Sequence, residues 1–280
     1  MPPNVGMIPL TADGSRKPSR LPSTHAGWSS LIPRCVVVAR SHCRGRNSLR
    51  PKGTDRGGGP AREAPELPGA EQFTRDWLTM FFSFDGIDGG GKTTQIGRFC
   101  DWLRLRGLDV IACRDPGSTS LGEAVRRILL DSRSTPIARR SEMLLYMAAR
   151  AQLVDEVIAP ALAQGKTVVS DRFLLANVVY QGHAGGLDVE GVRQVGQVAT
   201  AGIQPDMTFV LDLPDAEAAA RMNRPLDRME RQGDVFRAAL RSGYLAEAAR
   251  CPERIVVVDA ARSIDDVAVE IQAAAKRILS

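Results

Sequence analysis

From Phe81 onward, apolar residues fall into short runs, separated by longer stretches in which they recur every three or four positions. The runs Phe81–Phe84, Leu108–Ala112, Thr167–Ser170, Met207–Leu211 and Ile255–Val258 predict strands. The stretches Gln95–Leu105, Leu121–Leu130, Ser141–Ala163, Val189–Ala201, Ala216–Met222, Val235–Ala249 and Ile264–Leu279 predict helices. Strands that are apolar almost throughout leave no face for water, so they belong in a parallel sheet covered by helices on both sides. The expected fold class is α/β, with three α/β/α layers on a five-stranded parallel sheet. Ligands of such sheets gather at the carboxyl ends of the strands. No internal repeat breaks the pattern, and residues 80–280 make one domain of ordinary size.

Before Met80 the pattern stops. Ten of the 17 prolines lie in residues 1–79, together with Gly57-Gly58-Gly59 and one short apolar run, Cys35-Val36-Val37-Val38-Ala39. Of the 37 basic and 32 acidic residues, 12 and 6 precede Met80, which leaves 25 and 26 in the remainder. The sequence pI of about 9.2 therefore belongs to the extension and does not imply a nucleic-acid partner. Such a composition buries too little apolar surface to offset chain entropy, so residues 1–79 are expected to be disordered. Three origins stay open for them: a disordered tail, an Arg-rich targeting peptide, and a start codon assigned too far upstream. No apolar stretch approaches the roughly 20 residues of a membrane span, and no membrane association is expected. The five cysteines form no C-x-x-C pair and there are only three histidines, which argues against a zinc site and suits a reducing, cytoplasmic setting.

One segment carries the chemistry. Gly86-Ile87-Asp88-Gly89-Gly90-Gly91-Lys92-Thr93-Thr94 fits G-x-x-x-x-G-K-[ST], the phosphate-binding loop, and it lies between a predicted strand and a predicted helix as that loop must. Glycines let successive N–H groups face one concavity, and the helix N-terminus adds partial positive charge there. Lys92 is placed for the β- and γ-phosphates of ATP, and the Thr93 hydroxyl for Mg²⁺. A Gly-rich turn without a ligand is the bland alternative, and the flanking strand and helix weigh against it.

The loop alone fits a switch GTPase, a motor ATPase or a small-molecule kinase. A GTPase needs a guanine-reading N-K-x-D, which the sequence lacks, and a helicase normally carries a strand ending in Asp-Glu. Here the strand Thr167–Ser170 ends in Asp171-Arg172-Phe173. Asp171 at that position suits Mg²⁺, directly or through water, and Arg172 suits an anionic acceptor. An isolated Asp-Arg pair is more often a surface ion pair, but this one follows a strand at the ligand-binding edge.

From Phe82 to about Ala261 the chain resembles the thymidylate kinase family, which phosphorylates dTMP with ATP. The motifs that carry the resemblance are Phe84–Gln95, Arg114-Asp115-Pro116-Gly117-Ser118-Thr119, Leu144–Gln152, Asp171-Arg172-Phe173, Tyr180-Gln181-Gly182, Pro205–Thr208 and Asp227–Glu230, in the family's order. The resemblance implies that Asp88 contacts the sugar and phosphate side of dTMP and that Tyr146 stacks on the thymine ring. It further implies that Arg150 and Arg172 hold the acceptor base and phosphate, and that Arg126 grips the phosphate. Asn177 and Gln181 are placed at the base edge, and Tyr180 under the sugar. Tyr146 and Arg150 are one helical turn apart and share a face, although periodicity alone would put Tyr146 in the core.

The run Arg221–Arg231 resembles the family's short mobile lid, and the phosphate loop here contains no arginine. The cation that stabilises the transferring phosphoryl group is therefore expected from Arg221, Arg224 or Arg228, which stay unranked. Two departures from the family's Arg-Glu-Pro-Gly-Gly-Thr stand out, Asp115 for Glu and Ser118 for Gly. The family is commonly dimeric, so a homodimer is expected. The rival readings are a kinase of the same fold for another nucleotide and a non-catalytic nucleotide-binding protein. The second predicts loss of Lys92, Asp171 or the lid arginines, and all are present. A chain beginning at Met80 should keep its thermal midpoint and turnover, and a lower midpoint or insoluble product would mean that residues 1–79 pack on the domain.

Overall fold

The computed structural model describes residues 79–131, 136–221 and 228–279. The predicted extension, apart from Thr79, lies outside them, as does Arg224 in the predicted lid. Strands β1 (Phe81–Asp85), β2 (Val110–Arg114), β3 (Thr167–Asp171), β4 (Met207–Asp212) and β5 (Ile255–Asp259) form one sheet in the order β2-β3-β1-β4-β5. All four pairings are parallel. The expected α/β class and five-stranded parallel sheet are thus observed.

The helices are α1 (Lys92–Arg104), α2 (Ser120–Leu130), α3 (Arg139–Leu153), α4 (Ala159–Ala163), α5 (Leu174–Asn177), α6 (Val189–Ala199), α7 (Asp215–Arg221), α8 (Asp234–Arg250) and α9 (Ile264–Leu279). Every residue of β1 is buried, whereas β2 and β5 at the sheet edges are partly open. Successive side chains of β1 serve opposite layers, as a strand requires. Phe82 and Phe84 face α1, where the Phe99 ring lies 5.0 and 5.5 Å from theirs and 5.5 Å from Phe209. Helices α1 and α9 pack together over this face. On the other face Phe81 meets Phe173 edge-on at 4.9 Å, among Leu153, Val154 and Ile158. Beyond it the Ser83 and Thr208 hydroxyls bond to each other at 2.8 Å.

Three local differences from the predicted elements have physical causes. Strand β2 begins at Val110, two residues later than predicted, because Leu108 belongs to the end of α1. Its N–H donates to the Leu103 carbonyl and that of Gly107, at φ 80°, to the Arg104 carbonyl, the helix-closing arrangement that glycine favours. The predicted helix Ser141–Ala163 starts at Arg139 and contains a π-helical turn, Val154–Ile158, just ahead of Pro160. Proline has no N–H for the regular ladder, and a widened turn accommodates it. A helical segment was not predicted at all: α5 continues as a π-helical turn, Val178–Ala184. Its β-branched Val178-Val179 and Gly182 mask it in the sequence.

The parallel register aligns the carboxyl ends of three strands, with Asp171 opposite both Phe84 and Arg114. The loop after β1 packs closely on Leu211 of β4, and the clefts open instead over the carboxyl ends of β1, β3 and β2. Phe99→Ala should lower the unfolding free energy by about 3–5 kcal/mol, since its ring joins β1, β4 and α1. Urea unfolding measures this, and a loss below about 1 kcal/mol would show that the ring is not a keystone of this layer.

Candidate active site

The phosphate loop leaves the buried end of β1 at Gly86, whose φ is 123°. A Cβ there would sit 2.5 Å from the Leu211 carbonyl oxygen, so only glycine fits. Gly89 lies equally close to the Ala218 backbone of α7. Helix α1 opens at Lys92 with Gly91 as N-cap and no side chain capping its first turn. Those N–H groups and the helix dipole form a basic concavity for phosphate. The buried Lys92 ammonium folds back on the loop, donating to the Gly86 and Ile87 carbonyls at 3.0 and 2.8 Å, with the Asp88 carboxylate 3.7 Å away. Burial, and then the nearby Arg172, lowers its pKa. Thr93, Thr94 and Asp171 line the same cleft. Asp171 Oδ1 is shut from solvent and has no hydrogen-bond partner.

A second cleft adjoins the first. It is lined by Tyr146, Arg150, Asn177, Tyr180 and Gln181, and it shares Asp88, Asp115, Arg126 and Arg172 with the phosphate cleft. Arg172 follows β3 with φ 68°, a left-handed backbone that costs a non-glycine residue energy. Its N–H donates to the Phe84 carbonyl at 2.9 Å, which fixes the turn. Its guanidinium donates to Asp88 at 2.8 Å and to the Tyr180 hydroxyl at 3.2 Å. Burial works to lower the Arg172 pKa, but Asp88, Tyr180, Tyr244 and Asp171 more than reverse it.

Arg150 is one of the most deeply buried side chains and is paired with Asp115, while it also donates to the Phe173 carbonyl at 3.1 Å. Burial raises the Asp115 pKa and Arg150 opposes the rise. A cation this deep needs an anion beside it, so the loop after β2 is tied to α3. Ser118 adopts φ 63°, and its hydroxyl accepts from the Arg114 N–H at 2.9 Å. This serine therefore holds a left-handed turn with a bond of its own. Arg126 donates to the Pro116 carbonyl at 3.1 Å. Tyr146 is half-buried, packs against the cluster of Val125, Leu129 and Ala149, and also lines the cleft. Asn177 and Gln181 are buried and bonded to each other at 2.7 Å.

The predicted acceptor residues thus lie together, next to the phosphate loop. The lid arginines are engaged elsewhere. Arg221 donates to the Ala260 carbonyl at 3.0 Å. Arg228 donates to the Leu129 carbonyl at 2.7 Å and pairs with Glu142. Arg224 lies outside the described residues. Several participants had no assigned role in the sequence. Asp115, Glu142, Tyr244 and Asp85 take theirs from burial and from partners far along the chain. The motif Arg114–Thr119 was the one available signal for Asp115.

Asp85 is strongly perturbed. It is fully buried at the end of β1, with the Tyr244 hydroxyl 3.4 Å from Oδ1 and no partner for Oδ2. Burial raises its pKa to about 7, against the pull of Arg172 and Lys92. A carboxyl with a raised folded-state pKa holds its proton longer in the native than in the unfolded chain. Its contribution to stability therefore falls as pH rises from about 4 to about 7 and is level above that. Asp85→Asn removes this dependence. The variant's stability relative to the parent should rise by about 2–3 kcal/mol between about pH 5 and about pH 8 without nucleotide. Thermal midpoints across that range test it, and a pH-independent difference would contradict the assignment.

Comparison with known proteins agrees with this geometry. The family model described as Thymidylate kinase matches residues 84–271. The chain is 41% identical over 203 residues to the thymidylate kinase of Symbiobacterium thermophilum, covering 72% of this chain and 95% of that one. It is 45% identical over 202 residues to that of Desulforudis audaxviator, covering 71% and 91%. The crystal structure of thymidylate kinase from Ehrlichia chaffeensis aligns with a TM-score of 0.56 and 31% identity, over 70% of this chain and 97% of that one. Matched in sequence and in fold from the phosphate loop to the last helix, the chain belongs to the thymidylate kinase family.

Proposed function

We propose that the chain transfers the γ-phosphoryl group of ATP to dTMP, giving dTDP, within a kinase domain of residues 80–280. The observation that carries this reading is the junction of the two clefts, which share Asp88, Asp115, Arg126 and Arg172. A donor phosphate on the loop and an acceptor phosphate beside Arg126 and Arg172 would meet there. Positioning and charge neutralisation dominate phosphoryl transfer, and this junction supplies both.

The roles follow from the contacts. Lys92 exchanges its two loop carbonyls for phosphate oxygens of ATP, and the open N–H groups of α1 hold the rest of the polyphosphate. Tyr146 stacks on the thymine, Arg150, Asn177 and Gln181 meet its edge, Tyr180 packs under the sugar, and Asp88 faces the sugar and phosphate side. Thr93 and Asp171 fit Mg²⁺, because one buried Asp171 oxygen has no hydrogen-bond partner and phosphate-linked Mg²⁺ commonly takes only one or two protein ligands. When bound there it neutralises charge on the phosphate oxygens. With no arginine in the phosphate loop, Arg221, Arg224 or Arg228 completes the charge when the lid closes.

A cytoplasmic homodimer belongs to the same reading. The half-exposed Leu121 and Ile128 on α2 and Leu144 on α3 stand on helices that pack together, and they offer an apolar face for a second copy. No helix among the described residues is long and apolar enough to cross a membrane.

A coupled assay for ADP release across dTMP, dUMP, CMP and AMP tests the substrate. The expected order is dTMP above dUMP, with the thymine methyl worth roughly 1–3 kcal/mol and AMP negligible. Comparable rates with AMP or CMP would overturn the reading.

A further inference from the structure

Resting on the dTMP reading above, we infer that Glu142 is a positioning residue that sets the hydrogen-bond polarity of the base pocket through a relay of two amides. Glu142 lies in the first turn of α3 and is buried. One carboxylate oxygen pairs with Arg228, whose Nε donates to the Leu129 carbonyl at 2.7 Å. The other accepts from the Gln181 amide nitrogen at 2.9 Å. The Gln181 amide oxygen then accepts from the Asn177 amide nitrogen at 2.7 Å. The last atom of the chain, Asn177 Oδ1, is buried and has no partner.

The direction of this relay is a matter of chemistry. An amide has nearly the same shape in both orientations, so its surroundings must decide which end is oxygen. A carboxylate paired with a guanidinium can only accept. Gln181 must therefore turn its NH₂ to Glu142, which leaves its oxygen for Asn177. Asn177 must turn its NH₂ to that oxygen, which leaves an acceptor over. Reversing either amide would set acceptor against acceptor at one link or donor against donor at the other. Both amides line the acceptor cleft, alongside Arg150, whose guanidinium has donors to spare. A fixed acceptor beside a fixed donor fits the N3–H and adjacent carbonyl of a pyrimidine-2,4-dione. It opposes cytosine, whose N3 is an acceptor and whose C4 bears an amino group.

The test uses 5-methyl-2′-deoxycytidine monophosphate, which differs from dTMP only on that edge. For the parent, Glu142→Gln and the swap Glu142→Gln with Gln181→Glu, kcat and KM are measured with both nucleotides. An amide at position 142 keeps its oxygen toward Arg228 and turns its NH₂ to Gln181, which reverses the relay. The ratio of kcat/KM for dTMP over the cytosine analogue should fall about tenfold or more, chiefly through a higher KM for dTMP. The swap places a carboxylate directly against Asn177, so the ratio should recover. Disturbing Arg228 affects both nucleotides alike and cancels in the ratio. Should Glu142→Gln not fold, as judged by its thermal midpoint, Gln181→Met cuts the same relay and should lower the ratio similarly. An unchanged ratio in the single variant that folds, no recovery in the swap, or a parent that accepts both nucleotides equally would overturn the relay. A parent inactive on dTMP would instead overturn the proposed function.

Discussion

Burying positive charge without a ligand to neutralise it is the constraint around which this molecule is built. A site for two phosphorylated molecules needs cations in a shielded place, and shielding raises the cost of an unpaired charge steeply. Lys92, Arg150 and Arg172 lie at the carboxyl ends of β1 and β3 or on the helices over them, and each is held by an acceptor of the chain itself. Lys92 uses the loop carbonyls, Arg150 uses Asp115, and Arg172 uses Asp88. The acids are present because the cations are, and the parallel register delivers both to one edge. The same crowding leaves Asp85 and Asp171 with a carboxylate oxygen each that no side chain or backbone group satisfies.

Much of this was legible in the sequence, for identifiable reasons. Strands buried on both faces are apolar almost throughout, so Phe81–Asp85 and Met207–Asp212 declare themselves. The phosphate loop is legible because its chemistry depends on backbone shape, which glycines encode locally. What stayed hidden depends on contacts across the fold. Leu108 reads as the start of a strand because nothing local shows that its N–H closes a helix. No element is predicted over Val178-Val179, yet the segment packs against α6 and α8 as a helical turn. Glu142 looks like an ordinary charged residue in the first turn of a helix. Its partners lie 39 and 86 residues away, and no spacing rule reaches them. Asp85 follows a run of apolar residues and shows no sign in the sequence of the shift that burial gives it.

The residues proposed to face the base and those of the phosphate loop are held by different means. Around the phosphates the holding groups are mostly backbone: loop carbonyls, the open N-terminus of α1 and the turn at Arg172. Around the base they are side chains joined in series. Backbone recognition tolerates any polyphosphate, whereas a series of oriented amides discriminates one ring edge from another. The division explains why the phosphate loop alone is generic to many enzymes and why the second cleft must carry the identity of the acceptor.

The tight approach of Gly89 to the backbone of Ala218 has a mechanical meaning. Loop and α7 touch through main chain on both sides, with no flexible side chain between them to absorb movement. A displacement of the loop is therefore passed on to α7 as to a stiff rod, and Arg221 stands at the far end of that rod. The glycine acts as a bearing surface: its missing methyl group lets the two backbones touch.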